Sequence, residues 1–333
     1  MISRRGIIGA AAMFGLAAVT RAQVLAPPSG DRVRRVGVLM GLSQHDPEAG
    51  RRTAALEQGL RELGWEVGRN LQIDYRWAAG NAEQIRSLAR ELVGLQPEIL
   101  LANSRPVLAA LRQETGTIPI VFTLVSDPLG GGFVESLAHP GGNITGFAGF
   151  SFPIAGKWLD TLREIVPRVP RVALLGGPKT TPSDGYWRVF EAAARRLAIE
   201  PINSQIGDPA GIEPLMIALG QRPGGGLIVR PDNFTLMNRD LIVGLAERYR
   251  VPAIYPFRHY VVSGGLVSDG IDAEDVFRRT ASYLDRIFKG AKPGDLQVQQ
   301  PAKFELVINI RTAEKLGLTV PQSLLAIANE KIE

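Results

Sequence analysis

Short apolar runs alternate with amphipathic stretches along most of the chain. Residues 33–40 are apolar and rich in β-branched side chains, which predicts a strand, and Leu56, Leu60 and Leu63 then recur at the spacing of one helix face. Further strands are predicted at 71–77, 98–102 and 118–125, with helical patterns between them. Strand–helix–strand repetition needs crossovers that place helices on both faces of a parallel sheet. The first part of the chain therefore predicts a doubly wound α/β unit.

The same pattern restarts after a glycine-rich connecting strand at 143–150. The strands predicted in this second half lie at 171–176, 199–206, 226–230, 253–256, 265–268 and 304–310. Phe277, Ala281, Leu284 and Phe288 share one face of a long predicted helix. Two similar α/β halves predict a bilobed molecule.

The N-terminal segment has a different character. Arg4 and Arg5 precede the apolar run 7–19, and Thr20-Arg21-Ala22 supplies small residues at a cleavage site. A charged start, a short apolar stretch and a small-residue exit are typical of a secretory signal peptide. The run is shorter than the ~20 residues that cross a membrane. We expect a signal peptide at 1–22 and a linker at 23–32. Ser3-Arg4-Arg5 resembles a twin-arginine signal, and an ordinary export signal is the alternative.

Composition narrows the classes of partner and cofactor. The formal net charge is +5, but three arginines fall in the predicted signal and no dense Lys/Arg block remains, so no nucleic-acid partner is expected. Cysteine is absent, which excludes disulfides, thiolate metal sites and a lipid-modified N-terminal cysteine. The three histidines are scattered, and neither a metal nor a cofactor is predicted. An exported, untethered protein is expected in the periplasm.

Motifs of common enzyme classes are missing. The chain has no G-x-x-x-x-G-K-[ST] loop, no G-x-G-x-x-G after its first strand, and no G-x-S-x-G turn. We therefore expect a binding protein and not an enzyme. An exported α/β hydrolase is kept as a less favoured alternative.

Polar residues follow several predicted strands at their carboxyl ends, which is the edge where doubly wound sheets bind ligands. These candidate ligand-binding residues are Ser43 and Gln44 after the first strand, Asn103 and Ser104 after the third, Ser126 and Asp127 after the fourth, and Arg230 and Asp232 in the second half. Thr145 is a further candidate, in the segment that leaves the first half. Ser43 and Ser104 are equally suited to capping helices, and Asp127-Pro128 to opening a turn.

Several stretches of the chain match the pattern of a known family. They are RVGVL at 35–39, LRELGW at 60–65, GRN at 68–70, IPIVF at 118–122, SDP at 126–128, SLAHPGGNITG at 136–146, KGAKP at 289–293 and PAKFELVIN at 301–309. In these stretches the chain resembles the ABC-transporter substrate-binding protein family, which includes tryptophan- and tyrosine-type periplasmic binding proteins. Together the stretches span nearly all of the chain beyond the predicted signal.

The resemblance implies a type I periplasmic-binding-protein fold, with two α/β lobes joined by a three-segment hinge. It places 33–147 with 261–299 in lobe 1, and 148–260 with 300–333 in lobe 2. It implies a monomer that captures an amino acid or a related metabolite between the lobes and delivers it to the membrane permease of an ABC importer. A sensor that presents its ligand to a membrane receptor has the same sequence features.

Roles for the candidate residues follow from that ligand class. Ser104, Ser126 and Thr145 are expected to contact a ligand carboxylate, with Ser43 and Gln44 completing the wall of the first lobe. Asp127, Asp232 or Asp269 would supply the charge opposite a ligand ammonium. Asp269 is a departure, because similar sequences have an aromatic residue after Gly-Gly-Leu-x-Ser.

Overall fold

The computed structural model describes residues 33–178, 184–221 and 225–333, so the predicted signal peptide and linker lie outside the described residues. The described residues form two separate sheets, one of five strands and one of seven. The first contains β1 (Arg34–Met40), β2 (Leu71–Trp77), β3 (Ile99–Asn103), β4 (Ile120–Val125) and β5 (Ile144–Ala148). The second contains β6 (Arg171–Gly176), β7 (Glu200–Gln205), β8 (Gly225–Val229), β9 (Ala253–Tyr255), β10 (Val267–Ile271), β11 (Phe304–Asn309) and β12 (Glu330–Ile332).

Helices connect the strands within each lobe. In chain order they are α1 (Pro47–Glu62), α2 (Ala82–Gly94), α3 (Arg105–Glu114), α4 (Ile154–Ile165), α5 (Gly185–Arg196), α6 (Ile212–Gly220), α7 (Asn233–Met237), α8 (Arg239–Arg248), α9 (Arg258–Val262), α10 (Ala273–Phe288), α11 (Ile310–Lys315) and α12 (Gln322–Ile327). None of the helices within the described ranges is long and apolar enough to span a membrane.

The two sheets share one winding order. The first runs β2-β1-β3-β4-β5 with all strands parallel, and the second repeats this order as β7-β6-β8-β9-β10 before adding β11 and β12. β11 is antiparallel to β10, so the last two strands run against the others. The order reverses beside β1 in one sheet and beside β6 in the other, which are the switch points where such sheets leave a crevice. The predicted fold class, two doubly wound α/β lobes, is confirmed.

Within the ranges that the structure describes, the chain passes between the lobes at three places, and one of them differs from the prediction. The first crossing follows β5, and the last precedes β11. The segment 261–299 was expected in lobe 1, but β10 pairs with β9 and β11 in the second sheet. Only the part from Val276 onward packs with the core of the first sheet. The second crossing therefore falls at the end of β10, because the strand completes the second sheet before the helix leaves it.

The core of the first lobe has two sides because alternate strand residues face opposite helices. Val36, Val38 and Met40 of β1 pack with the apolar faces of α1 and α10, while Leu39 packs with α2 and α3 on the other side. Phe277, Ala281, Leu284 and Phe288 of α10 are buried, as their spacing predicted. This helix therefore returns from the second lobe to close the core of the first.

Helices α1 and α10 approach each other closely at one glycine. A Cβ atom placed on Gly59 would lie 2.4 Å from the backbone oxygen of Arg278. The contact is with backbone, so no side-chain rotation can relieve it. Gly50, earlier on the same helix, has nothing within 4 Å of such an atom.

We predict that Gly59→Ala lowers the free energy of unfolding by about 1–3 kcal/mol, because the added methyl group forces the two helices apart. Gly50→Ala is the matched control and should raise it by about 0.5–1 kcal/mol through helix propensity alone. Urea unfolding of the two variants and the wild type measures both changes. Equal effects at the two positions would contradict the helix contact.

Candidate ligand-binding site

A cleft of about 360 Å³ lies between the two lobes at the carboxyl ends of their strands. Ser104 follows β3 and Ser126 follows β4 on the first-lobe side, while Gly177 follows β6 and Arg230 follows β8 on the opposite side. The central cleft therefore lies at the switch points of both sheets, which is where their topology leaves room for a ligand.

The backbone of the first-lobe wall is strained. Ser104, Leu124 and Asp127 line the central cleft with φ angles of 87°, 56° and 49°, a region that residues other than glycine seldom adopt. The register of β4 against β5 also shifts between Thr123 and Val125. Such strain persists only where the surrounding structure enforces it, and it is concentrated at functional sites.

Two hydrogen bonds join the walls across the central cleft. The hydroxyl groups of Ser126 and Tyr186 are 2.9 Å apart, and the amide nitrogen of Asn233 donates to the Ser104 hydroxyl at 3.3 Å. Both pairs link a residue of the first lobe to one of the second. The described conformation is therefore one in which the lobes are closed on each other.

Some of the polar side chains in the first-lobe wall are engaged within their own lobe. Asn103 is buried and donates to the Thr123 hydroxyl at 3.4 Å, and Asp127 accepts from the backbone nitrogen of Gly130 at 2.9 Å. The Asp127 contact stabilises the turn that follows β4, in keeping with the turn-opening role that the sequence left open. Both residues also line the central cleft.

Arg230 belongs to an organised charge pair on the second-lobe side. Its guanidinium donates to Asp184 at 2.8 Å and lies over the ring of Tyr186, 5.3 Å from its centroid. Gln205 also donates to Asp184, at 3.1 Å. The charge of Arg230 is therefore already paired, and the pair holds Tyr186 in position.

Asp232 caps helix α7. One of its oxygens accepts from the backbone nitrogen of Thr235 at 2.9 Å, and the other from that of Gly177 at 2.8 Å. Burial raises the pKa of this carboxyl, against the opposing effect of the two backbone hydrogen bonds. Both oxygens are thus occupied in holding the local backbone, although the residue lines the central cleft.

Four candidates from the sequence lie outside the central cleft. Gln44 is exposed, and the Ser43 hydroxyl accepts from the backbone nitrogen of His45 at 3.3 Å. Thr145 was expected to face a cleft, but it is buried and donates to the backbone oxygen of Leu296 at 2.5 Å. Asp269 is buried in β10 and forms an ion pair with Lys157 at 2.8 Å. Thr145 therefore ties β5 to the segment at Leu296, and Asp269 ties β10 to α4.

The aromatic lining of the central cleft was not among the residues predicted from the sequence. Phe150, Phe152, Tyr186 and Phe257 line it together with the buried Arg52. Phe150 and Phe257 meet edge to face at 5.4 Å, as do Phe152 and Tyr186 at 5.0 Å. Their position in the sequence could have indicated them, because Phe150 and Phe152 come shortly after β5 and Phe257 shortly after β9. Arg52 lies within α1 and has no such signal.

Charged residues also meet where α1 of the first lobe faces α8 and α9 of the second. In this lobe seam, formed by Asp46, Glu48, Arg52, Arg239 and His259, Arg239 donates to Asp46 at 2.7 Å, and Nδ1 of His259 lies 3.1 Å from Glu48 Oε2. Both contacts are largely buried and add to the closure of the lobes.

The pKa values of His259 and Glu48 in the lobe seam are both lowered. Burial lowers the pKa of His259, with the charges of Arg52 and Arg239 adding to the effect and Glu48 opposing it. Burial alone would raise the pKa of Glu48, but the hydrogen bond and charge of His259 and the nearby arginines outweigh it, so that pKa lies far below its ordinary value. Glu48 is therefore ionised, and the imidazole is held toward its neutral form.

The described ranges contain no group of three or more His, Asp or Glu side chains arranged to hold a metal ion. The central cleft instead offers hydroxyl, amide and guanidinium groups set among aromatic rings. This combination suits an organic ligand that has both a polar and an apolar part.

Residues 36–332 match the family model of the ABC transporter substrate binding proteins, and the chain belongs to that family. It is thus a substrate-binding protein, and the expectation of a binding protein and not an enzyme is confirmed by this membership. A tyrosine-binding protein of Clostridioides difficile is 24% identical over 281 residues, which cover 84% of this chain and 81% of the relative.

Solved structures share the fold over most of the chain. A conserved domain protein of Vibrio cholerae is 29% identical with a TM-score of 0.82, covering 90% of this chain and 100% of its own. An ABC domain of Streptococcus pneumonia in complex with L-Trp is 23% identical with a TM-score of 0.80, covering 90% and 99%. The resemblance drawn from the sequence is confirmed.

The depressed pKa of His259 makes stability depend on pH. The unfolded chain takes up a proton on this histidine near pH 6.5, whereas the folded chain resists it. Unfolding is therefore increasingly favoured as the pH falls below about 6.5 toward the lower folded-state pKa. The stability that depends on a neutral His259 is fully present above that range. We predict that His259→Gln reduces the loss of unfolding free energy between pH 7.5 and 5, measured with urea.

His45→Gln is the matched control, because His45 is exposed. It should leave the pH dependence unchanged. A wild-type profile that is flat over this range, or one unaffected by His259→Gln, would show that the buried histidine is not the group responsible.

Proposed function

We propose that this protein is the periplasmic solute-binding component of an ABC importer, and that it captures an amino acid or a related metabolite in the central cleft. Membership of the substrate-binding family supports the binding role. The observation that carries the proposal is a polar and aromatic cleft at the switch points of two sheets, with hydrogen bonds joining its walls.

Binding in this proposal needs no covalent chemistry. The two lobes are the bodies that move, and the three crossings are the segments about which they rotate. With the lobes apart, the first-lobe wall is open to a ligand. On closure, Tyr186 meets Ser126 and Asn233 meets Ser104, which surrounds the ligand and excludes water from its polar contacts. Hydrogen bonds strengthen in such a site because the local dielectric is low.

An aromatic amino acid is the ligand class that the cleft favours. Phe150, Phe152, Tyr186 and Phe257 provide apolar and π surfaces for a ring. A tyrosine-binding protein and an L-Trp complex are among the similar proteins. Asp269, the departure from similar sequences, is paired with Lys157 outside the central cleft and does not disfavour such a ligand. Asp127 is the acid in the cleft best placed to meet a ligand ammonium.

Delivery to a permease and work in the periplasm complete the proposal. They are supported by the family and by the signal-like pattern of residues 1–22. In this role the closed, ligand-bound form is the one that a membrane permease recognises.

We predict that residues 23–333, freed of carried-over ligand by partial unfolding, are stabilised by an aromatic amino acid in a thermal-shift screen of amino acids, nucleosides, sugars and organic acids. A ligand at 100 times its dissociation constant should raise stability by about 2.7 kcal/mol. A response confined to sugars or nucleosides would contradict the proposed ligand class.

Substitution at the cleft wall gives a second test. Ser126→Ala should weaken binding of that ligand about tenfold, because a hydrogen bond at the closed cleft is worth roughly 1–1.5 kcal/mol. Ser43→Ala is the matched control, since Ser43 lies outside the central cleft, and should leave the dissociation constant unchanged. Calorimetric titration measures both values, and an equal loss in the two variants would argue against a site at Ser126.

A further inference from the structure

Arg52 is a charged side chain buried in the wall of the central cleft. It belongs to α1 and is 2% exposed, yet it lines the cleft beside Phe257. Its Nε and Nη2 atoms are buried and have no hydrogen-bond partner among the described residues. Burying a guanidinium without satisfying its donors is costly, so an arginine in this position calls for a partner.

The nearest acid cannot serve as that partner. Oε2 of Glu48 lies 4.0 Å from Arg52 Nε, at the outer limit of an ion pair, and the same atom is 3.1 Å from His259. The other oxygen of Glu48 accepts from Arg51. Glu48 therefore divides its charge between Arg51 and Arg52 and also contacts the imidazole of His259. Burial lowers the pKa of Arg52, which reflects how poorly its charge is compensated.

The setting of Arg52 also defines what it could bind. Its guanidinium lies over the ring of Phe257, 5.5 Å from the centroid, and Phe257 in turn contacts Phe150. When a guanidinium stacks on a ring, its N–H groups still point outward in its own plane. Two of them can then donate to the two oxygens of a carboxylate. The rings beside it provide an apolar surface for the rest of the ligand.

We propose that Arg52 binds the carboxylate of the ligand, and that the substrate class is small carboxylates with an aromatic body. The inference rests on the proposed function and assigns the charged contact in the same cleft. The ligand carboxylate is thus bound by Arg52, where the sequence had predicted contacts from hydroxyl side chains. Ser104 and Ser126 then serve closure, since each already bonds a residue of the opposite lobe.

This position links ligand charge to closure. Arg52 comes from the first lobe, whereas Phe257 comes from the second. A carboxylate on Arg52 neutralises a charge that closure buries against Phe257. Closing without the anion leaves that charge poorly compensated, so carboxylate ligands favour the closed form over the open one.

The test compares carboxylates with their carboxamides by calorimetric titration of residues 23–333. The probes are L-tyrosine and L-tryptophan against tyrosinamide and tryptophanamide, with the deaminated acids 3-(4-hydroxyphenyl)propionate and indole-3-propionate as further carboxylates. The wild type should bind each amino acid at least tenfold more tightly than its amide, because a charge-assisted hydrogen bond is lost. The deaminated acids should bind, since they keep the carboxylate.

Variants then assign the preference to one residue. Arg52→Gln should weaken carboxylate binding at least tenfold and leave carboxamide binding nearly unchanged, which removes the preference. Arg52→Lys should retain part of it, because the charge remains while the planar fork is lost. Arg51→Gln is the matched control on the same helix, with Arg51 half exposed and paired with Glu48, and should keep the preference intact.

The outcomes separate this inference from the proposed function. A purely structural Arg52 would lower the affinity for acid and amide equally, and that result overturns the inference alone. Wild-type affinities that are the same for acid and amide overturn it as well, whether or not Arg52→Gln folds. Failure of the wild type to bind any of the six probes contradicts the aromatic ligand class on which both proposals rest.

Discussion

The shared direction of the parallel strands is the constraint on which this structure depends. Because β1 to β5 and β6 to β10 each run one way, every polar group that follows a strand lies at a single edge of its sheet. The three crossings then turn those two edges toward each other. The winding order therefore produces a site to which both lobes contribute, and no single segment of the chain contains the whole site.

Closing such a site leaves charged groups between two apolar cores, and the lobe seam shows how they are accommodated. Asp46 pairs with Arg239, and Glu48 is shared by His259, Arg51 and, at a greater distance, Arg52. Buried ion pairs add little net stability but strongly disfavour arrangements in which one partner is left alone. The seam is thus better suited to fixing how the lobes meet than to holding them together tightly. A ligand carboxylate would supply the negative charge that Arg52 otherwise lacks at close range.

The two walls of the central cleft are held in place by different means. The first-lobe wall has its backbone held in unfavourable conformations at Ser104, Leu124 and Asp127, whereas the second-lobe wall is organised by the Arg230–Asp184 pair and the cap at Asp232. Strained backbone fixes the direction of polar groups before a ligand arrives, which reduces the entropy lost on binding. The second wall brings Tyr186, Phe257 and Asn233 to that fixed surface. The two walls therefore contribute in different ways to one site.

The sequence by itself determined the alternating elements, the α/β class, the repetition of one unit, and the cleft positions of Asn103, Ser104, Ser126, Asp127, Arg230 and Asp232. All of these follow from local periodicity and from the rule that ligands meet carboxyl strand ends. Only the tertiary structure decided that β10 completes the second sheet, that Thr145 and Asp269 are buried away from the cleft, and that Arg52 lines it. The reason is that a strand's sheet and a side chain's surroundings depend on residues distant in sequence. Thr145 meets Leu296 only when the first lobe has folded, and Asp269 meets Lys157 only when the second has folded. Arg52 meets Phe257 only after the two lobes have come together.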